Sequence, residues 1–136
     1  MDGQEQSVEL TRSVMGGYFE SEHSDVGVMA DDVVFTVMAT GDEHRGPEAV
    51  QGMLDYFYRV AFTATAEPQV TVFDVEHATW EGFFVGRHTG DFMGIAPTGK
   101  DVRVPLCVVY DLRDGKITAG RVYFEVPALM AQLGAT

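Results

Sequence analysis

The chain has 136 residues, 46% of them hydrophobic, which is the size and apolar content of one ordinary domain spanning 1–136. Its 21 Asp and Glu against 9 Lys and Arg leave a net charge of −12. That field repels phosphate backbones and anionic membranes, so no nucleic acid and no membrane partner is expected, and a neutral small ligand fits best.

The polar, acidic N-terminus (Met1 to Gln6) carries no signal pattern, and no apolar run approaches the ~20 residues of a membrane helix. The expected location is therefore cytoplasmic. From Ser7 to about Glu22, apolar residues at Leu10, Val14, Met15, Tyr18 and Phe19 fall at helical spacing. Gly16-Gly17 weakens that helix or admits a close neighbour. Asp25 to Met29 reads as a short helical turn, ended by an Ala30-Asp31-Asp32 corner. Val33 to Met38 is a β-branched and aromatic strand, and Thr40 to Gly46 reads as a polar loop.

Pro47 sits where a first helical turn tolerates it, with Glu48 beside the positive end of the dipole. Val50, Met53, Leu54, Phe57, Val60 and Ala61 follow at three-and-four spacing and bury one face. Strands are expected near Gln69–His77, Gly82–Phe92, Val102–Leu112 and Lys116–Phe124. Two turn signals separate the last three, Ala96-Pro97-Thr98-Gly99-Lys100 and Arg113-Asp114-Gly115-Lys116. Pro127 opens a terminal helix, Ala128 to Leu133, stopped by Gly134. Helices first and a meander last is the α+β pattern, a curved antiparallel sheet whose concave face the N-terminal helices cover. The space between them is a natural pocket. Cys107, the single cysteine, excludes an intrachain disulfide, and its apolar neighbours make it a packed thiol rather than a nucleophile.

The stretch His88-Thr89-Gly90-Asp91-Phe92-Met93-Gly94-Ile95-Ala96-Pro97-Thr98-Gly99-Lys100 resembles a loop of the SnoaL-like polyketide cyclases. So do Asp114-Gly115-Lys116-Ile117, Tyr123-Phe124-Glu125 and Gln132-Leu133-Gly134. Gly46-Pro47-Glu48-Ala49-Val50 looks like the start of the third helix of the nuclear transport factor 2-like superfamily, to which those cyclases belong. The resemblance runs from about Ser7 to Gly134. It implies a cone-shaped α+β fold and a homodimer through the outer face of the sheet. The superfamily holds cyclases, isomerases, dehydratases and epoxide hydrolases, so the pocket residues must decide function.

Glu125 matches the place where such cyclases usually carry an aspartate resembling a general acid/base. A carboxylate in an apolar pocket has a raised pKa and could trade protons near neutrality. The bland alternative is that Glu125 caps the Pro127 helix or points to water. His88 matches a histidine of the pattern, able to shuttle a proton or hydrogen-bond a carbonyl; the alternative is a structural imidazole. Asp111 and Arg121 resemble part of the water-activating set of the epoxide hydrolases, and Arg121, Tyr123 and Glu125 share a strand face at period two. A solvent-side cross-strand pair explains Asp111 and Arg121 equally well.

Tyr18, Tyr56, Tyr58, Tyr110 and Tyr123 are possible donors to a substrate oxygen, while Phe57, Trp80, Phe92 and Met93 are candidates for pocket wall. Counting from neighbouring turns puts Val37 and Val108 where a steroid isomerase carries its base and oxyanion-hole acid, which argues against that chemistry. His23, His44, His77 and His88 show no metal-ligand spacing, so no metal is expected. Pro97-Thr98-Gly99-Lys100 lacks the helix of a phosphate loop. The expectation is a cofactor-free acid/base enzyme, cyclase-like, acting on a small polyketide-like or other apolar carbonyl compound. In it Glu125 takes a proton and His88 or a tyrosine steadies the enolate. The alternatives are a non-catalytic binding module and water addition to an epoxide through Asp111, Arg121 and Glu125.

Overall fold

The computed structural model describes residues 3–21 and 25–134. Apolar spacing builds α1 (Gly3–Glu20), whose buried stripe is Thr11, Met15 and Tyr18 with Val14 and Phe19 half-buried beside it. Leu10, expected on that stripe, is exposed, and the expected end at Glu22 lies outside the described residues. The short turn expected near Asp25 is a 3-10 turn, Val26–Val28, capped by the Asp25 carboxylate, which accepts the Gly27 N–H at 3.0 Å. Strand β1 (Met29–Val37) starts earlier than expected, because Asp31-Asp32 is an irregularity within the strand and not a corner before it.

Residues read as a polar loop form β2 (Asp42–Arg45), antiparallel to β1 at the sheet's edge. An edge strand needs backbone pairing on one side only and tolerates charged side chains, which is why hydrophobicity did not mark it. Helix α2 (Pro47–Asp55) buries Val50, Met53 and Leu54, then widens into a π-helical turn, Tyr56–Val60, closed by the Ala61 N–H donating to the Tyr56 carbonyl at 2.8 Å.

The next strands, β3 (Phe62–Asp74) and β4 (His77–His88), are longer and begin earlier than the expected Gln69–His77 and Gly82–Phe92. Their reversal at Val75-Glu76 uses Glu76 at φ 62°, a residue that signals no turn. Strand β4 stops at His88 because the N–H groups of Thr89 and Gly90 both donate to the Ala61 carbonyl, at 3.1 and 2.9 Å, and draw the chain off the ladder. Residues 89–100 are therefore a long loop, not a tight hairpin, and Phe92 only bridges Ile95. Strands β5 (Asp101–Arg113) and β6 (Lys116–Phe124) are joined by the expected turn, with Asp114 and Gly115 both at positive φ. Helix α3 (Val126–Leu133) closes the fold.

The six strands form one curved, unclosed sheet in the order β2-β1-β6-β5-β4-β3. The class is α+β as expected, but the sheet is mixed: β1 runs parallel to β6, all other pairs antiparallel. Residues alternate between faces. Phe35, Val37, Trp80, Phe84, Leu106, Val108, Tyr110, Val122 and Phe124 face inward, under α1 on β3 and β4 and α2 on β1 and β2. Close approach fixes two glycines on this face. A Cβ at Gly82 would collide with the Glu67 carbonyl, so glycine lets β3 fold tightly over β4. A Cβ at Gly120 would lie 2.7 Å from the Phe35 ring, which occupies its place.

Candidate functional site

The inward faces do not quite close. A cavity of about 40 Å³ remains between α1, α2 and the sheet, walled by Phe35, Leu54, Phe84, Leu106, Val108 and Val122 among others. Its polar atoms come from aromatic tips: Tyr18 of α1, Tyr58 of the π-helical turn, Trp80 of β4 and Tyr110 of β5. The Trp80 indole N–H donates to the Tyr110 hydroxyl at 3.1 Å, and the Tyr18 and Tyr110 rings meet edge-on at 6.1 Å. Burial pushes all three phenols above the ordinary tyrosine range. Neighbouring Tyr110 and Tyr58 raise Tyr18 further, while the Trp80 bond partly offsets the effect at Tyr110 and Arg59 at Tyr58. These hydroxyls stay protonated and act as hydrogen-bond donors, not bases. Among the described residues, no carboxylate or imidazole lines the cavity.

Outside lies a wider groove of about 480 Å³. It shares Val37, Met53, Phe57 and Phe124 with the cavity, so those four side chains are the boundary between them. The π-helical turn carries the boundary, since its extra residue lets adjacent Phe57 and Tyr58 both line the cavity. Across the groove, the Tyr56 hydroxyl accepts the Met93 N–H at 3.2 Å and its ring stacks on Phe92 at 6.1 Å. The groove's other polar groups are Thr40, Asp42 and His44. His44 pairs with Phe35 and Asp42 with Val37, so both share the inward face of β2.

The family model for SnoaL-like polyketide cyclases matches residues 24–133. The chain belongs to the SnoaL-like polyketide cyclase family. Among curated proteins no sequence matches it. Among solved structures it is similar to a candidate polyketide cyclase from Xanthomonas campestris pv. campestris (TM-score 0.83, 18% identity, covering 93% of this chain and 98% of that one). It is also similar to AclR, a candidate hydroxylase from Streptomyces galilaeus (TM-score 0.75, 18% identity, 98% and 99% covered). A Catenulispora acidiphila protein with a ketosteroid isomerase-like fold matches at TM-score 0.73 and 16% identity, with 93% and 95% covered. At these identities the likeness is one of fold, the nuclear transport factor 2-like fold expected from the sequence.

In this SnoaL-like chain the nominated residues separate. Tyr18, Trp80, Tyr110 and Phe57 line the cavity, and Phe57 and Phe92 line the groove. Tyr123 is 45% exposed on the opposite, convex face of the sheet. Asp111 and Arg121 lie there too, joined by two bonds of 2.8 and 2.9 Å, and His77 Nε2 stands 3.5 Å from the same carboxylate. The Arg121 guanidinium holds the Asp111 carboxyl below the usual carboxylate range. Glu125 is exposed at the N-terminus of α3; its backbone carbonyl accepts the Leu129 N–H at 3.2 Å, and its carboxylate makes no cap bond.

His88 is wholly buried but lines neither space. Its Nδ1 accepts the Thr98 backbone N–H at 3.1 Å, so the ring proton sits on Nε2, which has no hydrogen-bond partner among the described residues. Its bonds tie the 89–100 loop to β4. Sequence reasoning weighed His44 only as a metal ligand and passed over Asp42, having read β2 as a loop. Tyr58 was named only as a possible donor, though it stands four residues after Leu54 on the buried stripe. Among the described residues no helix is long and apolar enough to cross a membrane, and no three His, Cys, Asp or Glu side chains gather as metal ligands.

Proposed function

We propose that this protein takes up a small, mostly apolar, polyketide-like carbonyl compound and steadies its enolate for cofactor-free, aldol-type cyclisation chemistry. The observation that carries this reading is the cluster of three neutral phenols in a cavity whose other described lining is apolar apart from the Trp80 indole N–H. A protonated phenol donates to a carbonyl oxygen and donates more strongly to the enolate, so it favours the transition state over the bound ketone. Size supports the same placement. A space of about 40 Å³ admits a carbonyl oxygen, while the groove of about 480 Å³ is within the range of small-molecule sites and takes the body.

Binding without turnover is the second reading, favoured by the lack of a carboxylate or imidazole in the wall of the cavity among the described residues. Water addition to an epoxide draws no support from Asp111, Arg121 and Glu125, none of which lines either space. Trp80 is the single tryptophan and lies in the cavity wall, so its fluorescence reports occupancy. The saturated bicyclic ketone 2-decalone is expected to change that fluorescence saturably, and more tightly than decalin, which has no oxygen. Tyr110→Phe should erode the difference several-fold, as one lost hydrogen bond of ~1 kcal/mol would. No saturable response to 2-decalone, or equal binding of decalin, overturns the reading.

A further inference from the structure

Enolate chemistry needs a group that removes the proton, and among the described residues the titratable groups of the cavity wall are phenols that burial keeps protonated. The groove, which shares Val37, Met53, Phe57 and Phe124 with the cavity, supplies two titratable groups besides Tyr56 among the described residues, Asp42 and His44. Both sit on β2 opposite residues of the cavity wall, His44 beside Phe35 and Asp42 beside Val37. Strand geometry sets them about 6.6 Å apart along one face. His44 is half-buried in the groove wall, so a ligand body lying there comes against its ring while its oxygen end enters the cavity. Glu43 and Arg45 alternate with them onto the other face, where they pair at 2.6 Å and leave His44 unobstructed.

We propose that His44, with Asp42 beside it, is the proton acceptor of this site. The inference rests on the reading of the cavity given above. A ketone lies with its oxygen toward the phenols and an α-carbon toward His44. The α C–H bond breaks, the proton passes to the unprotonated imidazole nitrogen, and the C–H electron pair becomes the enolate held by a phenol O–H. Return of a solvent-derived proton from the imidazolium to carbon restores the ketone, so no oxidant or second substrate is needed. In an aldol cyclisation the enolate carbon instead attacks a second carbonyl of the same molecule, and the imidazolium protonates the new alkoxide.

The test is exchange of the α-protons of 2-decalone for deuterium in heavy water, followed by proton NMR, with binding read in parallel from Trp80 fluorescence. The wild-type chain is expected to accelerate exchange, and His44→Gln to lose ~100-fold or more of it, the usual share of general-base catalysis, with binding changed less than about threefold. His44→Ala should lose exchange similarly and regain part of it on addition of free imidazole, which a structural histidine would not show. Far-ultraviolet circular dichroism checks that both variants fold, and Asp42→Asn, at an exposed position, offers a milder third. Undiminished exchange in both His44 variants overturns the proposal and leaves the cavity reading standing. Binding with no exchange by the wild-type chain also overturns it. No binding of 2-decalone at all removes the cavity reading and this proposal together.

Discussion

The Tyr110 hydroxyl receives the Trp80 indole N–H at 3.1 Å with both groups buried, so removing it deletes a buried hydrogen bond as well as a polar atom. Tyr110→Phe is expected to cost about 1–3 kcal/mol in urea unfolding, with an unchanged denaturant slope. The same phenols impose a sign on the response to alkali. An unfolded tyrosine titrates near ~10, whereas Tyr18, Tyr58 and Tyr110 lie higher when folded, so above that pH the folded chain binds more protons. Stability should therefore be level below pH ~10 with respect to these groups and fall as the pH climbs beyond it. Phenolate absorbance recorded alongside circular dichroism checks this: part of the absorbance should appear only with unfolding. Aromatic residue types marked Tyr18 and Tyr110 as candidate donors and Trp80 as candidate wall in the sequence. The tie between His88 and Thr98 was not readable there, because it depends on the path of the 89–100 loop.

Elements whose signals are local were legible, and those defined by partners were not. Lys116–Phe124 was read to the residue because Asp114-Gly115 is a strong turn and the strand alternates behind it. The first half of β3 pairs Phe62 with His88 through Ala66 with Phe84, a ladder that depends on residues some twenty positions away. Its small side chains announce nothing. Glycines divide the same way. A Cβ on Gly17 meets nothing within 4 Å and the position is exposed on α1, so Gly17→Ala should raise stability by about 0.5–1 kcal/mol. On β6, a Cβ at Gly120 stands 2.7 to 2.8 Å from three atoms of the buried Phe35 ring. Gly120→Ala should cost about 1–3 kcal/mol, and by pushing that ring into the cavity it should weaken 2-decalone binding. Thermal melts of the two variants would have to move in opposite directions.

The chain carries a net charge of −12, and on the convex face of the sheet acidic and basic side chains meet in pairs. Arg87 pairs with Asp101 at 3.0 Å, Arg103 with Glu67 at 3.0 Å and Arg121 with Asp111 at 2.8 Å, and Glu81 lies beside them. Arg87, Arg103 and Arg121 thus stand on this one face, along with Val109, Cys107 and the exposed Tyr123. The pairs are between a third and three-quarters exposed and contribute little to folding, but together they lessen the local repulsion two such faces would feel. The homodimer implied by the family resemblance is accordingly expected to form here. Two bodies of like charge still repel at long range, so association should strengthen as salt shortens the screening length from about 30 Å at 0.01 M to about 8 Å at 0.15 M. Sedimentation equilibrium should give twice the 14.9 kDa of one chain, with a weaker dimer at low salt. Tyr123→Glu, at an exposed position where folding tolerates it, should shift the equilibrium toward monomer. A wild-type chain that stays monomeric at every salt concentration, or a dimer indifferent to Tyr123→Glu, would remove the convex face from consideration.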